Sequence, residues 1–264
     1  MKRYILMSVA AIQFILSGCG SVLKVQVSNP SDIDRGTELI EVALDDVKDR
    51  LHIKDGEEFV IKEGGEEVSY QQTYDGKVVF PAKLSTRQTK TFIFSKGTPA
   101  EVVTQVCGDH YPKRVDDLCW ENDLIGFRAY GFKEDAPSGY DIFTKRDTDL
   151  PVIPEFYRRA KDPRLTKIHK KLKKTDKRAA DRFNWDSLSF HVDHGYGCDV
   201  YAVGPTLGAG TSALMDGENI VYPFCYETFE ILDDGPLRFT IKLVFRPVRI
   251  ADKENIVETR IITL

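Results

Sequence analysis

The sequence predicts a mainly β protein: a sandwich, or a large two-sheet supersandwich of the mutarotase-like kind, with one surface helical insertion. Three observations lead there. Short runs alternate apolar and polar side chains, the period of a strand with one buried face. Gly, Pro, Asn and Asp punctuate those runs at short intervals, as hairpin connections require. Only one segment, 154–182, carries a persuasive helical signal.

Taken in order, Val22 to Val27 alternates until Asn29-Pro30-Ser31-Asp32 breaks it, and Thr37 to Val47 alternates again through Leu39, Ile40, Val42 and Leu44. Phe59-Val60-Ile61 precedes the turn at Gly64-Gly65. Val68 to Tyr74 runs into Asp75-Gly76, a strong hairpin signal ahead of Val78-Val79-Phe80. Thr89 to Phe94 closes this N-terminal β region, 19–98. The second region, 99–264, offers strands at Leu124 to Tyr130, Ile142-Phe143, Val200 to Val203, Ile220 to Tyr222, Tyr226 to Leu232 and Leu237 to Val244. Pro154 to Arg182 reads as helix with a break at Asp162-Pro163. Its apolar stripe of Leu165, Ile168 and Leu172 is thin, so the insertion should lie on the surface.

The N-terminus predicts the compartment. Lys2 and Arg3 precede the apolar run Tyr4 to Leu16, which is shorter than the roughly 20 residues a bilayer requires. Leu16-Ser17-Gly18-Cys19 follows and resembles a bacterial lipobox. That resemblance implies a signal peptide at 1–18, lipidation of Cys19, and anchoring to a membrane by acyl chains. Gly20-Ser21-Val22-Leu23 contains no aspartate sorting signal, which favours the outer membrane, facing the periplasm. Cys107, Cys119, Cys198 and Cys225 remain, as buried thiols or as two disulfides in one of three pairings.

Net charge is −4, unevenly spread. Tyr157 to Arg182 holds twelve Lys or Arg against Asp162, Asp176 and Asp181. Such a block is either a solvated helical face or an attractor of polyanions. No aromatic residues interleave it in a stacking pattern, which argues against nucleic acid and leaves an anionic oligosaccharide as the expected partner.

Two segments concentrate groups able to do chemistry. His191-Val192-Asp193-His194-Gly195-Tyr196-Gly197-Cys198-Asp199-Val200-Tyr201 packs imidazoles, carboxylates and phenols between glycines, and Gly204 to Gly210 follows. Its spacing fits no zinc pattern, its glycine run has no phosphate-loop lysine, and no G-x-S-x-G occurs, so no cofactor or metal is expected. The second segment is Trp120-Glu121-Asn122-Asp123 with Arg128-Ala129-Tyr130. On a strand, Arg128 and Tyr130 share a face, where the guanidinium could anchor a carboxylate or pair with Glu121 or Asp123.

These segments, with Asp141-Ile142-Phe143 between them, resemble a family of bacterial lipoproteins known mainly as a domain of unknown function and found with polysaccharide-degradation clusters. They are also similar to an oligosaccharide dehydratase of ulvan degradation, which removes water from a terminal uronic acid. The resemblance covers roughly Leu23 to Leu264. It departs at Leu165 to Arg178, which looks like an expanded insertion, and family members continue past the point matching Leu264, so C-terminal strands are expected to be missing.

For a uronic acid, elimination needs a cation on the carboxylate, a base for the adjacent carbon's proton and an acid for the departing oxygen. The resemblance implies Arg128, with Asn122, Glu121, Trp120, Tyr130 and Asp199, as the substrate-binding set. It implies His194 or His191 as base and Tyr196 or Tyr201 as acid. Hydrolysis through paired carboxylates and glycan binding without catalysis are the competing readings, as is a truncated inactive member.

Overall fold

The computed structural model describes residues 22–131, 139–146, 152–200, 211–222 and 224–264, together with the backbone of 12–15. Cys19 and its expected lipidation lie outside the described residues, as do most of 1–18. Two compact units emerge, residues 1–104 with 235–238, and residues 105–234 with 239–264.

In the first unit, β1 (Ile12–Ile15), β2 (Val22–Ser28), β3 (Arg35–Ala43), α1 (Leu44–Leu51), β4 (Phe59–Glu63), β5 (Glu66–Val68), β6 (Gln71–Gln72), β7 (Lys77–Leu84) and β8 (Thr89–Lys96) follow in order. They form two antiparallel sheets, β1-β2-β8-β4-β5 and β3-β7-β6. Alternation buries Leu23, Val25 and Val27 from one sheet against Val78, Phe80 and Ala82 from the other, giving the sandwich core. The expected strand to Val47 stops at Ala43 and becomes α1. Leu44, Val47 and Leu51 repeat at helical spacing, and Val47 and Leu51 are fully buried, so packing of that stripe overrides the alternation read locally. The Asp75-Gly76 turn joins β6 to β7 with Gly76 at φ 73°, where glycine is favoured. The Gln71 amide accepts from the Leu237 and Arg238 N–H groups and donates to the Arg238 carbonyl.

The second unit continues with β9 (Val106–Tyr111), β10 (Asp117–Asn122), β11 (Ile125–Ala129), β12 (Asp141–Lys145), α2 (Val152–Ala160), α3 (Pro163–Thr175), α4 (Lys177–Leu188) and β13 (Gly197–Asp199). Then come β14 (Leu214–Asp216), β15 (Asn219–Val221), β16 (Tyr226–Asp234), β17 (Phe239–Phe245), β18 (Val248–Ile250), β19 (Lys253–Ile256) and β20 (Thr259–Thr263). Strands β9 to β13 make an antiparallel sheet ordered β13-β12-β11-β10-β9, and β16-β17-β20 make a second. Leu118, Trp120 and Ala129 from the first sheet pack on Phe239, Ile241 and Leu243 from the second. The opposite face of the first sheet carries Cys119 and Phe143, which pack on Val152, Ile153, Phe156 and Tyr157 of α2.

The architecture is therefore mainly β with a helical insertion, divided among several antiparallel sheets of at most five strands among the described residues. The insertion differs from expectation in depth. Its first helix is core, since α2 buries four side chains at helical spacing, whereas α3 buries none and α4 only Ala180. The break falls at Asp162-Pro163, where Asp162 Oδ1 accepts from the Arg164 and Leu165 N–H groups and proline takes the first turn. The hairpin β9–β10 has no counterpart in the sequence reading. The strand expected at Val200 to Val203 falls almost wholly outside the described residues.

Candidate functional site

The helix-facing side of the β9–β13 sheet is unusually charged for a buried surface. Arg128 on β11 is 2% exposed. Its Nε donates to Asp141 Oδ2 at 2.7 Å, and its Nη2 donates to Asp141, to Asp199 Oδ2 at 3.1 Å and to the Tyr130 hydroxyl at 3.0 Å. Register explains the meeting: Arg128 pairs with Asp141 across β11 and β12, and Asp199 pairs with Phe143 across β12 and β13. Burial is the largest single influence and opposes the charge on Arg128, but Asp141 together with Tyr130, Tyr157 and Cys119 raises the guanidinium's pKa overall. The Nη1 atom is buried and has no hydrogen-bond partner among the described residues. Rings of Phe190, Tyr130 and Phe143 lie 5.0 to 5.2 Å from the guanidinium carbon.

A second arginine stands beside the first. Arg114, in the β9–β10 connection, donates through Nη1 to both oxygens of the fully buried Asp117, at 3.2 and 3.0 Å. Asp117 also accepts from the Tyr157 hydroxyl, whose pKa is driven up by burial. Arg114 lies 5.3 Å from the Phe190 ring centre and 5.7 Å from that of Tyr130, so both guanidiniums share the same two rings.

A cavity of about 840 Å³ opens over this pair, lined by Arg128, Tyr130, Tyr157, Phe190 and His191 among others. Among the described residues its charged lining is Lys113, Arg114, Arg128, Lys161 and Asp109, with Asp117, Asp141 and Asp199 behind it paired to the two arginines, so it is a ring-walled cleft rimmed by two lysines. His191 Nδ1 lies 2.7 Å from the Asp199 carbonyl oxygen. A carbonyl only accepts, so Nδ1 carries the proton and the neutral ring keeps Nε2 as its acceptor. Burial pushes Tyr130 up to about 12, so its phenol holds its proton at neutral pH.

The residues expected from sequence divide into two groups. Arg128, Tyr130, His191 and Asp199 come together at the cavity or directly behind it. Trp120 does not: it is 2% exposed in the core on the opposite face of the sheet. Glu121 accepts from the Val152 N–H at the start of α2 and lies 3.4 Å from Lys145, while Asn122 Oδ1 caps the turn at Leu124 and Ile125. His194 lies 3.2 Å from the Ser189 carbonyl oxygen, with its pKa lowered by burial and by Arg159. Tyr196 packs edge-on against Phe156, and neither it nor His194 lines the cavity. Tyr201 and the glycine run 204–210 lie outside the described residues. The four described cysteines are thiols, not disulfides.

Arg114, Tyr157 and Phe190 went unread in the sequence. Each comes from a separate connection or helix, and only tertiary packing assembles them. The pairing of Arg114 with Asp117 three residues on was the one local signal available.

No solved structure matches the chain. An uncharacterized protein, P7, of Formosa agariphila is 24% identical over 272 aligned positions, which cover 93% of this chain and 62% of that protein. The chain thus spans less than two thirds of that relative's length. The family model for a domain of unknown function, DUF4861, matches residues 27–264, and with that match the chain belongs to the DUF4861 family.

Proposed function

We propose that the protein acts by elimination on a uronate-bearing oligosaccharide whose carboxylate sits over Arg128. One observation carries this reading: the buried Nη1 of a cavity-lining guanidinium has no acceptor among the described residues. An unmet buried donor costs about 1–3 kcal/mol, and a carboxylate oxygen would supply the missing acceptor with a charge-assisted bond. The lining lysines Lys113 and Lys161 favour the same sign of ligand.

Chemistry follows from the groups around it. Neutralising the carboxylate acidifies the proton on the adjacent carbon. His191 Nε2 takes that proton, the carbon–oxygen bond at the next carbon breaks, and the electron pair left on carbon forms the double bond. Tyr130, whose hydroxyl donates to Asp141 Oδ2 at 2.6 Å, breaks that bond, gives its proton to the departing oxygen and recovers one from solvent, while His191 returns its own. The product is an unsaturated sugar plus either water or the released sugar chain. His194 and Tyr196, farther from the cavity, serve this reading by packing against α2. The same reading keeps the protein at the outer membrane, anchored through Cys19; palmitate labelling that persists in Cys19→Ser would refute that anchor.

Incubation with uronate oligosaccharides, followed by mass and ultraviolet absorbance, tests the reaction. Loss of one water marks dehydration, and cleavage without added water marks a lyase. Fragments that have gained water, or no product at all, would overturn elimination. His191→Ala is expected to lower the rate at least about 100-fold with the fold retained by circular dichroism. A rate equal to wild type removes His191 as the base.

A further inference from the structure

We infer that Trp185 forms an outer sugar subsite at the lip of the cavity, so that the site reads an oligosaccharide chain and not a lone uronate. The inference rests on the proposed anionic-sugar reading of the cavity and deepens it. Trp185 lies on α4 and is 55% exposed, whereas the other tryptophan, Trp120, is 2% exposed. An indole half in water keeps a large apolar face open to a ligand, and it is the position beside the cavity that gives this one meaning.

Its position fixes what that partner touches. The ring lies 6.0 Å from His191 and is inclined 27° to it, and His191 lines the cavity. Asn184 and Leu188, the residue before Trp185 and the one three later on α4, also line it. Leu188, three residues on, shares a helix face with Trp185, so the indole flanks the opening. A pyranose presents apolar C–H groups on one face and hydroxyls at its edge, the pattern that a half-exposed aromatic ring with wet surroundings accommodates. The sugar next to the uronate would then lie on Trp185. The helix carrying the indole begins with Lys177 and Arg178, and α3, which precedes it, adds Lys167, Lys170, Lys171 and Lys174, which suits a chain with further acidic sugars.

The experiment compares glucuronate, mannuronate and galacturonate with tetrasaccharides containing each, using wild type, Trp185→Ala and Trp185→Phe. Binding is read by calorimetry and by acrylamide quenching, which selects the exposed indole. A tetrasaccharide is expected to shield Trp185 from acrylamide, and Trp185→Ala to weaken tetrasaccharide binding about tenfold while leaving the monosaccharide unchanged. Trp185→Phe should retain most of the affinity. Equal weakening for both lengths would overturn the subsite, since it would mean that Trp185 merely supports His191. An unaffected tetrasaccharide affinity would also overturn it, with the Arg128 reading left standing. A wild-type protein that binds neither length would instead reject the anionic-sugar reading and the subsite with it.

Discussion

The two faces of the β9–β13 sheet are built from alternate residues of the same strands, yet they obey opposite rules. One face sets Leu118, Trp120 and Ala129 against Phe239, Ile241 and Leu243 and is closed by apolar contact. The other places Asp117, Glu121, Arg128, Asp141 and Asp199 at 5% exposure or less beneath the helical insertion. Hydrophobic burial alone does not account for that second face, because each buried charge carries a desolvation penalty of several kcal/mol before pairing. Its ion pairs lie behind a cavity, and one guanidinium nitrogen has no acceptor among the described residues. The dry face holds the sheet to its neighbour, and the charged face carries the groups on which the proposed ligand reading rests.

The largest expected effect tests whether the charged face is one coupled unit. Arg128→Met leaves Asp141 and Asp199 buried without their shared cation and should cost about 3–5 kcal/mol in urea unfolding. Adding Asp141→Asn and Asp199→Asn should recover most of that loss while abolishing binding of uronate. Leu118→Ala on the dry face should cost a similar 2–5 kcal/mol, roughly, with no second change to restore it and little effect on binding. If the triple variant is no more stable than Arg128→Met, the account of a compensated triad fails.

A smaller effect separates the faces by their tolerance of a methyl group. A Cβ at Gly108 on β9 would lie 2.1 Å from the Phe239 ring, which is fully buried and has no room to withdraw. Gly108→Ala should therefore lose about 1–3 kcal/mol or more. At Gly126 on β11 the nearest atoms are Ile153 Cδ1 at 2.9 Å, the movable end of a side chain, and Glu121 Cβ at 3.2 Å, which must give by a few tenths of an ångström. Gly126→Ala should cost at most about 1 kcal/mol, the expense of a shifted rotamer. Thermal melts of the two variants in one buffer settle the order, and equal losses would contradict the contrast.

The same contrast explains what was legible in the sequence. Strands with one wet face, such as β2 and β8, alternate cleanly and were read close to their ends. In the β9–β10 hairpin, β10 is buried on both faces while Val106-Cys107-Gly108-Asp109-His110-Tyr111 of β9 buries only Val106 fully, so neither strand shows a usable period and the hairpin was missed. Arg128 and Tyr130 were legible as a pair because a strand fixes their shared side. Asp117, Tyr157 and Phe190 were not, since their meeting depends on a helix laid across the sheet. Trp120 misled for a related reason: residue type marked it as a sugar platform, while register turned it toward the core. Alternation sorts residues onto two faces but does not say which face will hold the cleft.

The smallest effect concerns the loop that carries His191 to the charged face. Asp193 Oδ1 accepts from the Gly195 N–H at 2.7 Å and the Gly197 N–H at 3.1 Å, and its other oxygen pairs with Arg146. The Gly195 bond, more than the Arg146 charge, holds this carboxyl below its ordinary 3.8. A depressed folded value means that the stabilisation is complete above pH 3.8 and is lost as the pH falls through the folded pKa. Asp193→Asn keeps an acceptor for the loop but removes the charge. It should therefore be a few tenths to about 1 kcal/mol less stable than wild type at pH 7 and approach wild type near pH 3. Urea midpoints at the two pH values measure this. A gap that stays constant across them would mean that the loop is held by shape and not by the carboxylate.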